Sequence, residues 1–116
     1  VSKRGFNPTE LNKAIHSPIR LAIVSTLYSA GEESFTNLRK TVGATDGNLT
    51  THISTLEKHG IIKVRKRFIA KKPRTSFRLT DKGREVFREY IDMMASMVSE
   101  FQEEKDAESQ NNGGAT

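Results

Sequence analysis

The stretch "TDGNLTTHISTLEKHG", residues 45–60, admits two readings. Asp46-Gly47 is a hairpin-turn dipeptide, but its flanks do not alternate in polarity. Leu49, Ile53 and Leu56 instead recur at helical spacing, and Gly60 closes the pattern. The stretch is therefore expected to be a helix, with Thr45 as N-cap and Asp46 at the positive end of its dipole. With the three apolar residues inward, Gly47, Asn48, Thr51, Ser54, Thr55 and Lys58 face outward. His52 falls at the margin of the inward stripe, where it either bonds within the fold or faces a ligand. The first half of this helix carries no Lys or Arg at all.

Just upstream, "ESFTNLRKTVG" places Phe35 in a very short strand. It also sets Thr36 as the cap of a helix with Leu38 and Val42 inward, and Gly43 ends that helix. Two helices joined by about three residues that include glycine form a helix-turn-helix signature. Further back, Ser17-Pro18 starts "PIRLAIVSTLYSAG", which is apolar on nearly every side and is expected to be a buried central helix. Asn7, Pro8 and Glu10 signal a shorter helix through about Ile15, with Leu11, Ala14 and Ile15 on one face.

Downstream of Gly60 the period changes to two. In "IIKVRKR", Ile62 and Val64 oppose Lys63, Arg65 and Arg67; in "SFRLT", Phe77 and Leu79 alternate with Ser76, Arg78 and Thr80. A basic loop, "FIAKKPRT", broken by Pro73, joins them into a β-hairpin with a charged tip. Thr80-Asp81 then opens a long helix over residues 81–105, in which Gly83 costs some stability. Phe87, Tyr90, Met94, Met97 and Phe101 step by three and four, the spacing of a two-stranded seam, and Ile91 and Val98 widen it. These seven are the expected dimerisation residues, although part of the stripe could pack instead on Leu11, Ile15 and the central helix. The polar, Gly-rich end, residues 106–116, is expected to be disordered.

Composition bounds the function. The 116 residues suggest one small domain with a net charge of +5 and no cysteine, which excludes disulfides, thiolate metal sites and a cysteine redox switch. The charge is segregated. "KVRKRFIAKKPRTSFR", residues 63–78, is rich in Lys and Arg and contains no acid, while acids gather in "SEFQEEKDAE". Segregation of this kind points to a polyanion partner. No apolar run approaches the ~18 residues of a membrane span, and "VSKRGFNP" has no apolar signal segment, so a cytoplasmic protein without membrane contact is expected.

The element order, helix, helix, helix-turn-helix, basic hairpin and long helix, resembles the winged helix of the MarR and ArsR transcriptional regulators. The residues that carry the resemblance are "IHSPIRLAIVSTL" (15–27), "NLTTHISTLEKHGII" (48–62) and "KKPRTSFRLTDKG" (71–83). It implies a mostly α chain with a small β-hairpin (α+β), a winged helix-turn-helix with a long C-terminal dimerisation helix. Residues 1–80 would be the DNA-binding domain, with the wing at about 61–80.

The resemblance further implies that residues 46–59 enter the major groove while the wing reaches the backbone or minor groove of double-stranded DNA. The expected reading set is Thr45, Asp46, Gly47, Asn48, Thr50, Thr51, His52 and Thr55. Asn48 is suited to adenine and a threonine methyl to thymine. The expected wing contacts are Arg65, Arg67, Lys71, Lys72, Arg74 and Thr75. A homodimer on a palindromic operator follows, acting as a regulator and by family habit a repressor.

No cofactor is expected, and the three histidines, His16, His52 and His59, are too few and too scattered for a metal sensor. A small-molecule effector at the dimer interface stays open. No phosphate loop, HExxH or GxSxG is present, so an enzyme is not expected. Two alternatives remain: non-specific DNA packing, and a winged helix that docks on a protein of the transcription or replication machinery.

Overall fold

The computed structural model describes residues 13–114, with side chains to residue 108. The expected N-cap, proline and capping acid at residues 7–10 lie outside the described residues. The first described segment, residues 13–15, is helical and buries Ala14 and Ile15.

Helix α1 (Pro18–Ala30) starts as its sequence dictates, with Ser17 Oγ accepting from the Arg20 amide and proline in the first turn. It ends at Gly31, whose φ of 86° suits glycine. Ile23, Val24 and Leu27 are fully buried, and Ile19, Leu21 and Tyr28 pack half-buried around them, so α1 is the central helix.

Strand β1 (Glu33–Ser34) follows, then α2 (Phe35–Val42). The cap differs from the expectation. Ser34, not Thr36, accepts from the Asn37 amide at 3.2 Å, and Phe35 is the first helical residue rather than part of the strand. The reason is pairing: β1 is held by β3 through Glu33 opposite Phe77 and Ser34 opposite Ser76, which stops the strand one residue earlier. Gly43, at φ 69°, turns the chain into α3 (Asp46–Lys58). Thr45 caps α3 by accepting from the Asn48 amide at 3.2 Å, and Leu49, Ile53 and Leu56 are its buried stripe.

Strands β2 (Ile62–Ile69) and β3 (Lys72–Leu79) form the hairpin, and β1 completes an antiparallel sheet of order β1-β3-β2. The hairpin is longer and its turn tighter than expected. Pairing runs to Ile69 opposite Lys72, leaving only Ala70 and Lys71 as the turn, both at positive φ. Pro73 does not break a loop; it lies inside β3 opposite Phe68. It is tolerated because β1 pairs only at residues 76 and 77, so β3 has a free edge at Pro73.

Helix α4 (Asp81–Gly114) corrects two boundaries. Its first turns belong to the domain core, through Val86, Phe87 and Tyr90, so no boundary falls between residues 80 and 81. It also continues through residues 106–114, where no regular structure was expected. Helix-favouring Gln, Glu, Lys and Ala occupy residues 102–108, and the paired glycines come only at the end. The fold class is as expected: mostly helical, with a small antiparallel sheet and a long C-terminal helix.

Candidate nucleic-acid interface

Two surfaces carry the expected contacts. The first is the outer face of α3. Asp46, Gly47, Asn48, Thr50 and Thr51 are exposed, and His52 and Thr55 are half-buried. The threonine hydroxyls are already committed as donors. Thr50 donates to the Asp46 carbonyl at 2.8 Å, Thr51 to Gly47 at 3.0 Å and Thr55 to Thr51 at 3.2 Å. What they present outward is a methyl group and oxygen lone pairs, a surface for apolar contact or for accepting a bond. Thr45 spends its hydroxyl on the cap.

Gly47 has no internal justification. It does not sit at positive φ, and a Cβ there would meet nothing within 4 Å. It lies in the first turn of α3, on the exposed face. Asp46 is held at 3.0 Å by Arg39 of α2, a residue the sequence reading passed over. That pair ties the two helices of the helix-turn-helix together at the start of α3.

His52 faces Arg20 of α1, whose Nη1 lies 3.1 Å from its Nδ1. Arginine only donates, so Nδ1 is the acceptor and the imidazole is neutral. Burial, reinforced by the Arg20 charge, holds its pKa below the usual histidine value. Of the two expectations for His52, the bond within the fold is present.

The second surface is the wing. Lys71, Lys72 and Arg74 are exposed and Thr75 is half-buried. Arg67 stands directly opposite Arg74 in the strand register. Like charges so placed repel, and the counter-charge comes from Glu32, just before β1. Glu32 Oε2 accepts from Arg67 Nη2 at 2.7 Å and from the Ser76 hydroxyl at 2.6 Å, while Oε1 lies 3.5 Å from Arg65 Nη1. The Ser76 bond, with help from Arg67, Arg65 and Arg78 against some desolvation, lowers the Glu32 pKa below its ordinary value. Arg65 and Arg67 are thus moored at the wing's base, whereas Arg74 and the tip lysines project. Glu32 carried no local sequence signal, because its partners lie more than thirty residues away. Between β1, the start of α2 and the wing lies an open hollow of about 500 Å³ lined by Asn37, Arg67 and Arg74 among others.

The expected dimer seam divides in two. Phe87 and Tyr90 face inward: Phe87 packs tilted against Tyr28 with ring centroids 4.9 Å apart, and Tyr90 Oη lies 3.0 Å from His16 Nδ1. Both are buried in the core of this chain and are withdrawn from the dimerisation set. Their 3–4 spacing is the same whether a helix faces its own core or a partner. Ile91, Met94, Met97, Val98 and Phe101 remain exposed, Phe101 at 63%.

Among the described residues, no group of three or more His, Asp or Glu is placed to hold a metal ion. No described helix is long and apolar enough to cross a membrane.

Comparison with known proteins agrees with this fold. A family model described as a winged helix DNA-binding domain matches residues 19–98. An uncharacterized protein of Methanocaldococcus jannaschii is 34% identical over 79 residues, which span 68% of this chain and 86% of that one. A transcriptional regulator homologue from Pyrococcus horikoshii superposes with a TM-score of 0.73 at 29% identity, covering 80% of this chain and 94% of the other. The transcriptional repressor BigR from Xylella fastidiosa gives a TM-score of 0.62 at 27% identity, covering 77% and 84%.

Proposed function

The chain belongs to the winged helix DNA-binding domain family, whose members are DNA-binding transcriptional regulators and not enzymes, and from that premise we propose that it is a homodimeric regulator, acting as a repressor, that reads a palindromic operator. In this reading α3 enters the major groove and discriminates. Asn48 pairs with a base edge, Thr51 and Thr55 offer methyls and lone pairs, and Gly47 lets the backbone come close. The wing supplies affinity through phosphate contacts from Lys71, Lys72 and Arg74.

The observation that carries the proposal is the division of charge between the two surfaces. An exposed, Lys- and Arg-free start of α3 with an otherwise unexplained glycine lies in the same small domain as an acid-free wing with opposed arginines. A docking site for protein has no need of the second, and a non-specific DNA packer has no need of the first. Arg39–Asp46 and Arg20–His52 serve positioning: they fix α3 on its neighbours, and Asp46, an acid, is not a phosphate contact.

The homodimer rests on the exposed stripe from Ile91 to Phe101. Two copies joined there would set their α3 helices toward successive major grooves, ~34 Å apart. A regulator of this kind works beside the chromosome, in the cytoplasm. The hollow bounded by Tyr28, Phe87 and Ile91 is about 160 Å³, below the ~300 Å³ of ordinary ligand pockets, so it is too small for an ordinary effector.

Selection of duplexes from a random pool, followed by mobility-shift titration against competitor DNA, tests the reading. A symmetric sequence preferred by ~10³-fold or more is expected. Equal affinity for every duplex would replace it with non-specific packing, and no duplex binding at all would leave the protein-docking alternative.

A further inference from the structure

We infer that the wing tip is an apolar wedge for the minor groove of double-stranded DNA, with Phe68 as the side chain that enters it; this rests on the DNA-binding reading above and specifies how the wing engages. Phe68 is 77% exposed, the highest value among the described large apolar residues. The register sets it opposite Pro73, also exposed. Alternation along a strand puts this pair on the same ribbon face as Val64 and Phe77 nearer the base. There the face is covered: Phe77 is buried and Val64 packs against the core. Toward the tip the face runs out beyond its cover. The adjacent pair, Arg67 and Arg74, points to the opposite face. The tip is therefore a narrow ribbon that ends one face in Phe68 and Pro73, with Lys66 and Thr75 behind them, carries Arg67, Arg74 and Lys72 beside Ile69 on the other, and is closed by only Ala70 and Lys71.

Charge complementarity selects the occupant. An apolar side chain on a folded protein's surface is commonly a docking point for another apolar surface. Here Lys66 shares its face, Arg74 and Lys72 lie on the other face of the same ribbon, Lys71 closes the turn, and no acid lies anywhere from residue 63 to residue 78. The surface that matches is apolar within and anionic at both rims. The minor groove is such a surface: sugar edges line its walls and phosphates its lips. Minor-groove proteins insert Phe and Pro wedges at base steps, unstack them in part and kink the duplex. Cost is lowest at flexible pyrimidine–purine steps, so the wedge would add sequence preference where the wing lands without any hydrogen bond to a base.

The experiment uses the full chain and duplexes that the wild-type protein itself recovers from a random pool. Bend is read by energy transfer between dyes on the two duplex ends, and unstacking by 2-aminopurine fluorescence at the wing position. Phe68→Ala is expected to bind about tenfold more weakly, to lose the bend and the fluorescence rise, and to keep the wild-type salt slope. Phe68→Leu should retain most of both signals. Arg74→Ala should keep the bend while lowering the salt slope by about one. Because Phe68 is exposed, its variants should melt with the wild type, which excludes misfolding as the cause. A Phe68→Ala protein that binds and bends like the wild type overturns the inference. So does one whose only change is in the sedimentation of the free protein, which would make Phe68 a protein contact. Failure of the wild type to retain any duplex would instead bring down the DNA-binding reading, and the wedge with it.

Discussion

Arg20 Nη1 stands 3.1 Å from Nδ1 of His52 and so joins the central helix to the helix that faces outward. The same guanidinium donates through Nε to the Ala14 carbonyl and through Nη2 to that of Lys13 at 3.4 Å. One side chain thus fixes the segment before α1 and the middle of α3 together. The bond requires a neutral His52, and burial and then the Arg20 charge hold its folded pKa below the ordinary histidine value of 6.5. In the window between 6.5 and that lowered value, the unfolded chain binds more protons than the folded one. Stability is therefore complete above the unfolded value and falls as the solution is acidified through the window. Urea unfolding midpoints followed from neutral to mildly acidic pH should show this fall, and His52→Gln should flatten it. An unchanged slope in that variant would remove His52 as its source.

Gly83 is placed by contact, not by conformation. A Cβ there would lie 2.1 Å from the Ile61 carbonyl oxygen, which also accepts the Thr80 amide at 3.0 Å. Helix propensity alone would make Gly83→Ala stabilising by ~1 kcal/mol. The clash with backbone should reverse the sign and cost about 1–3 kcal/mol. Thermal melting decides between them, and a higher melting temperature for the alanine variant would contradict the packing.

The wing turn stores strain that can be removed. Ala70 at φ 52° and Lys71 at φ 66° both occupy the left-handed region, which costs L-residues roughly 1–2 kcal/mol each. Gly at either position should raise stability by about 0.5–1 kcal/mol after its own entropy cost. The two variants should part company on DNA. Ala70→Gly keeps the charge and binds like the wild type. Lys71→Gly weakens binding to all duplexes alike and lowers the salt slope by about one. Equal salt slopes in the two proteins would show that Lys71 touches no phosphate.

Glu32 restrains the wing's charge. It moors Arg65 and Arg67 and places an acid beside the surface proposed for phosphate. Glu32→Gln should raise affinity for every duplex and steepen the salt dependence, since two more cations become available. Titrations at several salt concentrations measure both, and a weaker, flatter binding curve would mean that Glu32 acts mainly by positioning.

What was legible in the sequence was what local pattern encodes. The inward stripe of Leu49, Ile53 and Leu56, the Thr45 cap, the glycine turn at Gly43 and the change of period after Gly60 each follow from neighbours within a few residues. What stayed hidden depends on residues far apart in the chain. Glu32 finds Ser76, Arg20 finds His52, and Gly83 meets Ile61 only once the sheet and helices are assembled. Register was hidden too: nothing local says that pairing persists past Pro73 to Lys72, or that β1 stops short enough to permit it. The apolar spacing of α4 was visible, but the point at which it passes from its own core to open solvent was not.

That point lies after Tyr90, and it makes the two halves of the stripe separable by mutation. Val98 is 61% exposed and Tyr90 is 3% exposed, although both sit on the same apolar spacing. Val98→Asp places a charge where no protomer contact is lost, so the protomer should keep its fold. Across a two-stranded seam the same charge meets a partner's apolar side chains and must be desolvated. Sedimentation should therefore show a monomer, and affinity for a two-half-site duplex should fall by ~10²-fold as the linkage between half-sites is lost. Tyr90→Ala should behave otherwise. It removes a buried ring and the bond to His16, and should lower stability by about 3 kcal/mol before any effect on assembly is read. A Val98→Asp protein that still sediments as a dimer would move the interface off this stripe.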